Sequence, residues 1–336
     1  MASLRMHLTN AFIRTTVKPW LDRRNDLDGA RAISVRVKLP VPRGAEFREI
    51  MMGRVVGERV SPRRPSAAEP PLLYLHGGGY FTGSPKAHRP ITASLAKRGF
   101  TVFVPDYRLA PEHPYPAAVD DAEAAWDALT ALGHRDIAVA GDSAGGGLAL
   151  ALIHRLRAKR KRLPFAAALF SPWTDLLLSG DSLSTNAPHD LLFSVSGVRM
   201  AAKWYLDGAD PRCPEASPLH GSLRGFPPLF IEVGEQEILR DDSVRLAERA
   251  WAHGVNATLN RWPGVFHAWQ LACSFLPEGR GSLDQTALFL HQTRAMLGGT
   301  IRNKRDNPRD VNAGVRAETA PAGIFASRPA IARQFG

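Results

Sequence analysis

Gly141-Asp142-Ser143-Ala144-Gly145 is the stretch whose chemistry is easiest to name. It stands directly after a β-rich run at 137–140 and directly before a helical pattern, which places the serine at a sharp strand-to-helix turn. A serine hydroxyl is a weak nucleophile, and such a turn holds its oxygen clear of the backbone. The turn also crowds positions 141 and 145 until only glycine fits. The bland alternative is a phosphate loop, but the Lys-Ser/Thr ending is missing and no G-x-G-x-x-G follows the first strand. The glycine run His76-Gly77-Gly78-Gly79 begins 67 residues before Ser143. Ester and amide cleavage passes through a tetrahedral oxyanion, and one backbone N–H aimed at it contributes about 3–4 kcal/mol. We expect the amides of Gly77, Gly78 and Ala144 to be those donors, with His76 shaping the loop.

A serine nucleophile needs a base, placed after it in the chain on the loop beyond the last strand. Of the histidines that follow Ser143, His154, His253 and His291 fall in helical patterns, and His189 and His220 fall where the pattern breaks. His267 alone sits in a loop after a strand, so position selects it. The base needs an orienting carboxylate, and Glu235, Glu237, Asp241 and Asp242 follow the run 229–233. Asp241 and Asp242 open the next helical pattern, where a cap or the helix dipole accounts for them.

The elements that must position these residues alternate. Short β-rich runs at 72–75, 101–104, 137–140, 166–170, 229–233 and 257–261 are separated by helical patterns at 89–98, 117–132, 144–158 and 242–253, with one more at 283–297. This is the pattern of an α/β protein with a mostly parallel central sheet flanked by helices, and the placement of the serine turn and the glycine loop on it makes the α/β-hydrolase fold the expectation. Runs at 33–38 and 47–56 are expected to pair antiparallel at the sheet edge. Three regions follow: an N-terminal cap segment at 1–45, a core at 46–299 with a cap insertion at about 181–218, and a disordered basic tail at 300–336. The amphipathic residues Leu8, Phe12, Ile13, Val17 and Trp20 are expected to join the helical cap.

The formal charge of +11 is concentrated at the two ends. Residues 1–65 hold 14 Lys/Arg against 6 Asp/Glu, and residues 300–336 hold 7 against 3, so the body between is close to neutral. No aromatic-interleaved basic motif accompanies the charge, and no nucleic-acid partner is expected. No apolar run approaches the roughly 20 residues of a membrane-spanning helix. The N-terminal apolar residues are broken by His7, Thr9, Asn10 and Arg14, unlike a secretory signal, and a cytoplasmic location is expected. Cys213 and Cys273 give neither a disulfide framework nor metal-type spacing, and neither metal nor cofactor is expected.

H-G-G-G at 76–79, Tyr107-Arg108-Leu109-Ala110-Pro111-Glu112, G-D-S-A-G-G at 141–146 and Ser171-Pro172-Trp173-Thr174-Asp175 form an ordered set. Together they resemble the bacterial hormone-sensitive-lipase family of carboxylesterases, over roughly 76–269. The resemblance implies a metal-free and cofactor-free serine esterase for short-chain acyl esters, with an N-terminal helical cap. It implies structural network roles for Arg108 and Glu112. It also implies Glu237 as the acid, because the family's acid stands two residues before a leucine that matches Leu239; this chain departs from Asp-Pro-Leu with Glu and Ile. The N-terminal portion and the 234–242 run are similar to monoterpene lactone hydrolases, so a small ester or a lactone is the expected substrate. An arylformamidase-type amide hydrolase is the enzyme alternative. A ligand receptor on the same fold is the other, disfavoured because such receptors lack the histidine present here as His267. A homodimer is left open.

Overall fold

The computed structural model describes residues 2–22, 27–29, 31, 38–64 and 69–306. Among the described residues, eight strands form one sheet in the order β1-β2-β4-β3-β5-β6-β7-β8. They are β1 Ala45–Met52, β2 Val55–Pro62, β3 Pro71–Leu75, β4 Thr101–Pro105, β5 Ala138–Asp142, β6 Ala167–Phe170, β7 Leu229–Gly234 and β8 Ala257–Trp262. β1 and β2 are antiparallel, β2 joins β4 antiparallel, and every pairing from β4 to β8 is parallel.

β3 to β7 are buried along their whole length, which is why they read as continuous apolar runs. Alternate residues nevertheless serve opposite faces. Leu73 and Leu75 join one core with Trp126 of α4 Ala117–Ala131 and Leu148 and Leu152 of α5 Ala144–Ala158. Leu72 and Tyr74 join the other, with Ile91 of α3 Arg89–Ala96 and Leu283 and Leu290 of α9 Pro277–Asp306. Between β6 and β7 lie α6 Ser182–Thr185 and α7 Val195–Leu206, and α8 Arg240–Ala252 links β7 to β8. At the N-terminus, α1 Leu4–Phe12 continues through a π-helical turn, Ile13–Val17, into α2 Lys18–Asp22.

Two local expectations are corrected. The run at 47–56 is not one strand: the chain turns at Gly53-Arg54, Gly53 having φ +61°, so that Met52 pairs with Val55 and the two halves form the β1–β2 hairpin. Residues 33–37 of the other expected strand lie outside the described residues. The last helix starts at Pro277, six residues before the expected 283, because proline is tolerated in a first turn that Glu278 also favours. It runs on to Asp306, into the tail expected from residue 300; residues 307–336 lie outside the described residues. The chain divides into two compact units, Met1–Ala295 and Met296–Gly336.

Of the five N-terminal apolar residues, Ile13 is buried and Val17 packs with it, whereas Leu8 and Phe12 are exposed. α1 therefore presents two different faces, one to the protein and one outward.

A buried acid ties the last two strands to α9. Glu232 of β7 accepts hydrogen bonds from Trp262 Nε1, at 3.1 Å, and from Ser282 Oγ. Burial pushes its carboxyl from 4.5 up to about 7, against the hydrogen bonds from Ser282 and Trp262. An acid with a raised folded-state pKa leaves stability intact below its unfolded value, here 4.5, and reduces it progressively as pH rises through about 7. Glu232→Gln should therefore raise Tm at pH 8 relative to wild type, by a margin that shrinks towards pH 4.5. Thermal melts at the two pH values check this; a variant destabilised at pH 8 contradicts it.

Candidate active site

All the singled-out groups leave the sheet at the carboxyl ends of parallel strands, where open α/β sheets place their sites. Leu75 pairs with Gly141, which sets the loop from His76 beside the turn at Ser143. Asp142 pairs with Phe170, and Gly234 pairs with Trp262, which brings the loops after β6, β7 and β8 to the same end.

Ser143 has φ 53° and ψ −123°, an unfavourable conformation for a residue with a Cβ. It is held by its own N–H donating to Phe170 O at 2.8 Å and by its carbonyl accepting from Trp173 at 2.9 Å. A Cβ at Gly145 would lie 2.0 Å from Leu75 O, and one at Gly141 would lie 2.4 Å from Gly145 O. The glycines of the motif are thus required by backbone contact, as expected from the sequence.

His267 is buried, with Nδ1 2.7 Å from Glu237 Oε2. The other Glu237 oxygen accepts from Ser171 Oγ at 2.7 Å and from the Gly234 amide at 2.6 Å. With its carboxylate engaged on both oxygens, Glu237 fixes Nδ1 as the protonated nitrogen of a neutral ring. The opposite nitrogen, Nε2, is buried and has no hydrogen-bond partner among the described residues. Burial alone would lower the imidazole pKa, but the charge of Glu237 and its hydrogen bond, with Asp190 and Asp142 adding, raise it. Phe193 meets the ring edge-on at a centroid distance of 4.5 Å.

The other acidic candidates are occupied elsewhere. Glu235 pairs with Arg261 at 2.6 Å on the surface. Asp241 accepts from Ser182 N at 2.8 Å. Asp242 does more than the expected capping: it is buried and accepts from the amides of Thr174 and Asp175 at 2.7 and 2.9 Å, fastening the loop after β6 to α8.

Gly77 departs from expectation. Its N–H donates to Asp142 Oδ1 at 2.9 Å, so that amide is committed and is not free to act as an oxyanion donor. Gly78 and Gly79 carry no such bond among the described residues. Ala144 opens α5, where first-turn amides lack an intrahelical acceptor. Among the described residues, the amides of Gly78, Gly79 and Ala144 are therefore donors beside Ser143 left without a backbone acceptor.

Beneath the glycine loop lies a buried polar network. Tyr74 Oη donates to Asp142 Oδ1 at 2.6 Å, and His88 Nε2 lies 3.2 Å from Oδ2. Burial would raise the Asp142 pKa, but the His88 charge and the bonds from His88 and Tyr74 bring it to about 2, and His88 is raised in turn. His76 is lowered to about 3 by burial and by His88, so it stays neutral. Its ring stacks on Tyr107 at 4.2 Å, while Tyr107 Oη donates to His76 O at 2.6 Å. Arg108 binds Asp121 through two bonds of 2.8 Å, and Glu112 pairs with Arg31 at 2.6 Å.

Sequence reasoning missed the residues that hold this geometry. Asn186 Nδ2 donates to the carbonyls of Glu235 and Glu237, and Asp190 Oδ2 accepts from the Ile238 amide at 2.8 Å, so the 181–218 segment grips the acid's loop. Neither has a motif to announce it. Ser171 and Asp142 stood within recognised motifs, and a buried polar residue beside a chemical one was the available signal. Among the described residues, no group of three or more His, Cys, Asp or Glu side chains could hold a metal ion, and no helix is long and apolar enough to cross a membrane.

A strained serine at a strand-to-helix turn, a glycine loop and a carboxylate-bound imidazole thus gather at one end of the sheet as a candidate site, and comparison with known proteins gives the class of protein. Residues 72–271 match the α/β-hydrolase-fold family, and the chain belongs to it. Over 298 residues it is 39% identical to an acetyl-hydrolase of Streptomyces hygroscopicus, covering 86% of this chain and 97% of that protein. The crystal structure of EstE5 superposes with a TM-score of 0.84 at 34% identity, covering 88% of this chain and all of that one. An esterase of the bacterial hormone-sensitive-lipase family gives 0.79 at 36% identity, covering 87% and 99%. Within the fold, this is therefore a bacterial hormone-sensitive-lipase-family carboxylesterase, a carboxylic ester hydrolase.

Proposed function

We propose that Ser143 is the nucleophile, His267 the base, Glu237 the orienting acid, and the amides of Gly78, Gly79 and Ala144 the oxyanion hole. The observation that carries this reading is the imidazole of His267, locked at Nδ1 by Glu237 and unpartnered at buried Nε2. Nε2 takes the Ser143 proton as Oγ attacks the ester carbonyl, and the amides stabilise the oxyanion. Nε2 then protonates the departing alcohol, leaving an acyl-enzyme. Water loses a proton to Nε2 and attacks the acyl carbon, the acyl–Oγ bond breaks to release the acid, and Nε2 returns its proton to Ser143 Oγ.

The substrates we assign are short acyl esters. Phe81 presses against Gly79, its ring carbon 2.7 Å from where a Cβ there would lie. Trp204 of α7 meets Phe81 edge-to-face at 5.1 Å, and Ala201 of the same helix lies 3.6 Å from that Cβ position. This wall stands beside the proposed oxyanion donors and limits room for the acyl chain. α7 and its flanks, with the N-terminal helices over the His267 loop, make up the cap in this reading. A panel of p-nitrophenyl esters with lactones and a formanilide tests it. Acetyl to butyryl esters should give the highest kcat/KM, octanoyl at least about tenfold less, and Trp204→Ala should narrow that gap. A preference for lactone or formamide, or a chain-length profile unmoved by Trp204→Ala, would overturn the assignment.

A further inference from the structure

The outward face of α1 is apolar in a way the ester hydrolase site does not use. Leu4, Leu8 and Phe12, one helical turn apart, are 74%, 63% and 59% exposed. The opposite face is tied down: Met6 and Ile13 pack with Leu191, Val265, Phe266 and Trp269 around the loop that carries His267. Polar bonds fix the helix too, with Ser3 N donating to Glu278 Oε1 and Asn10 Nδ2 donating to Gly264 O at 2.7 Å. The apolar stripe is thus presented rigidly, and folding has not found it a partner among the described residues.

The segment's own charge is of one sign, with Glu278 adding one carboxylate at its Ser3 end. Residues 2–21 contain Arg5, His7, Arg14 and Lys18 and no Asp or Glu. At 100° per residue, Arg5 falls beside Phe12 on one border of the Leu4–Leu8–Phe12 stripe. A basic segment with large apolar side chains outward and a cation at the border of the stripe matches the plane of an anionic lipid surface, where the side chains enter the acyl boundary and the cation meets phosphate. A second protein copy would bring the same positive charge to the contact and repel it.

We propose that α1 is an interfacial anchor that seats the enzyme on anionic lipid membranes, with the His267 loop directly behind the seat. The proposal leaves hydrolysis of dissolved esters unaffected, so it can fail while the catalytic reading stands. The test is flotation of the full chain with vesicles of phosphatidylcholine containing about a third phosphatidylglycerol, and with pure phosphatidylcholine. Wild type should float with the anionic vesicles at low salt and lose most of that binding in 0.5 M NaCl. The double variant Leu8→Asp with Phe12→Asp should bind at least about tenfold more weakly while melting at the same temperature as wild type. Three results would overturn the proposal: no flotation of wild type, equal flotation with neutral vesicles, or undiminished binding by the double variant. So would light scattering that shows a wild-type dimer, dispersed by the two substitutions, in a protein that ignores vesicles.

Discussion

Ser143→Ala is expected to lower kcat for p-nitrophenyl acetate by at least about ten-thousandfold while KM and the melting temperature change little. The hydroxyl is the only group removed, and it is the atom assigned to form the acyl bond. What remains is water attack assisted by the oxyanion amides and His267, a route several orders of magnitude slower than covalent catalysis. Because the strained backbone at Ser143 is set by Phe170, Trp173 and the flanking glycines, alanine should retain the turn. Alanine has the same Cβ, so neither strain nor packing changes much. Steady-state kinetics with a melt on the same preparation separates the two effects; an alanine variant within tenfold of wild type contradicts the role.

Glu237→Gln is expected to lower kcat by at least about a hundredfold with a modest change in KM. The amide can offer its N–H to His267 Nδ1, which favours the tautomer with the proton on Nε2 and leaves that nitrogen unable to accept from Ser143. A second consequence follows from charge. Glu237 is the largest influence raising the His267 pKa against burial, so its neutralisation should move the acidic limb of the kcat/KM profile to lower pH. Activity needs neutral His267, and a lower pKa extends the neutral form downwards. Asp241→Asn, by contrast, should act mainly on thermal stability, since Asp241 binds Ser182 and Arg240 rather than the imidazole. If Glu235→Gln or Asp241→Asn carried the large kcat loss and Glu237→Gln stayed near wild type, the acid would be another residue.

The parallel strands and the turn at Ser143 were legible because each is local. A buried parallel strand is a short apolar run, and the nucleophile turn requires its glycines by backbone contact alone. His267 was legible from position, being the histidine in the loop after the last strand. Glu237 was not legible from residue type, with four carboxylates in nine residues; the family register indicated it, and the 2.7 Å contact with His267 places it beside the imidazole. Gly77 shows the limit. A glycine run displays several amides, and which one is free depends on Asp142, distant in sequence and brought close by the pairing of β3 with β5. The hairpin at Gly53 was missed for a simpler reason: Met52 and Val55 on either side of the turn are both apolar and buried, so the run looked continuous. Asn186 and Asp190 were invisible because an insertion without a period leaves no template for which polar residue turns inward.

The most direct test of the central claim is covalent. Incubated with a p-nitrophenyl alkylphosphonate, the protein should release one equivalent of p-nitrophenol as activity disappears. Peptide mapping should then find the phosphonyl group on Ser143, and a sample pretreated at that serine should take up no more. A label on any other residue, or full inactivation with Ser143 unmodified, would contradict the assignment of Ser143 as the nucleophile.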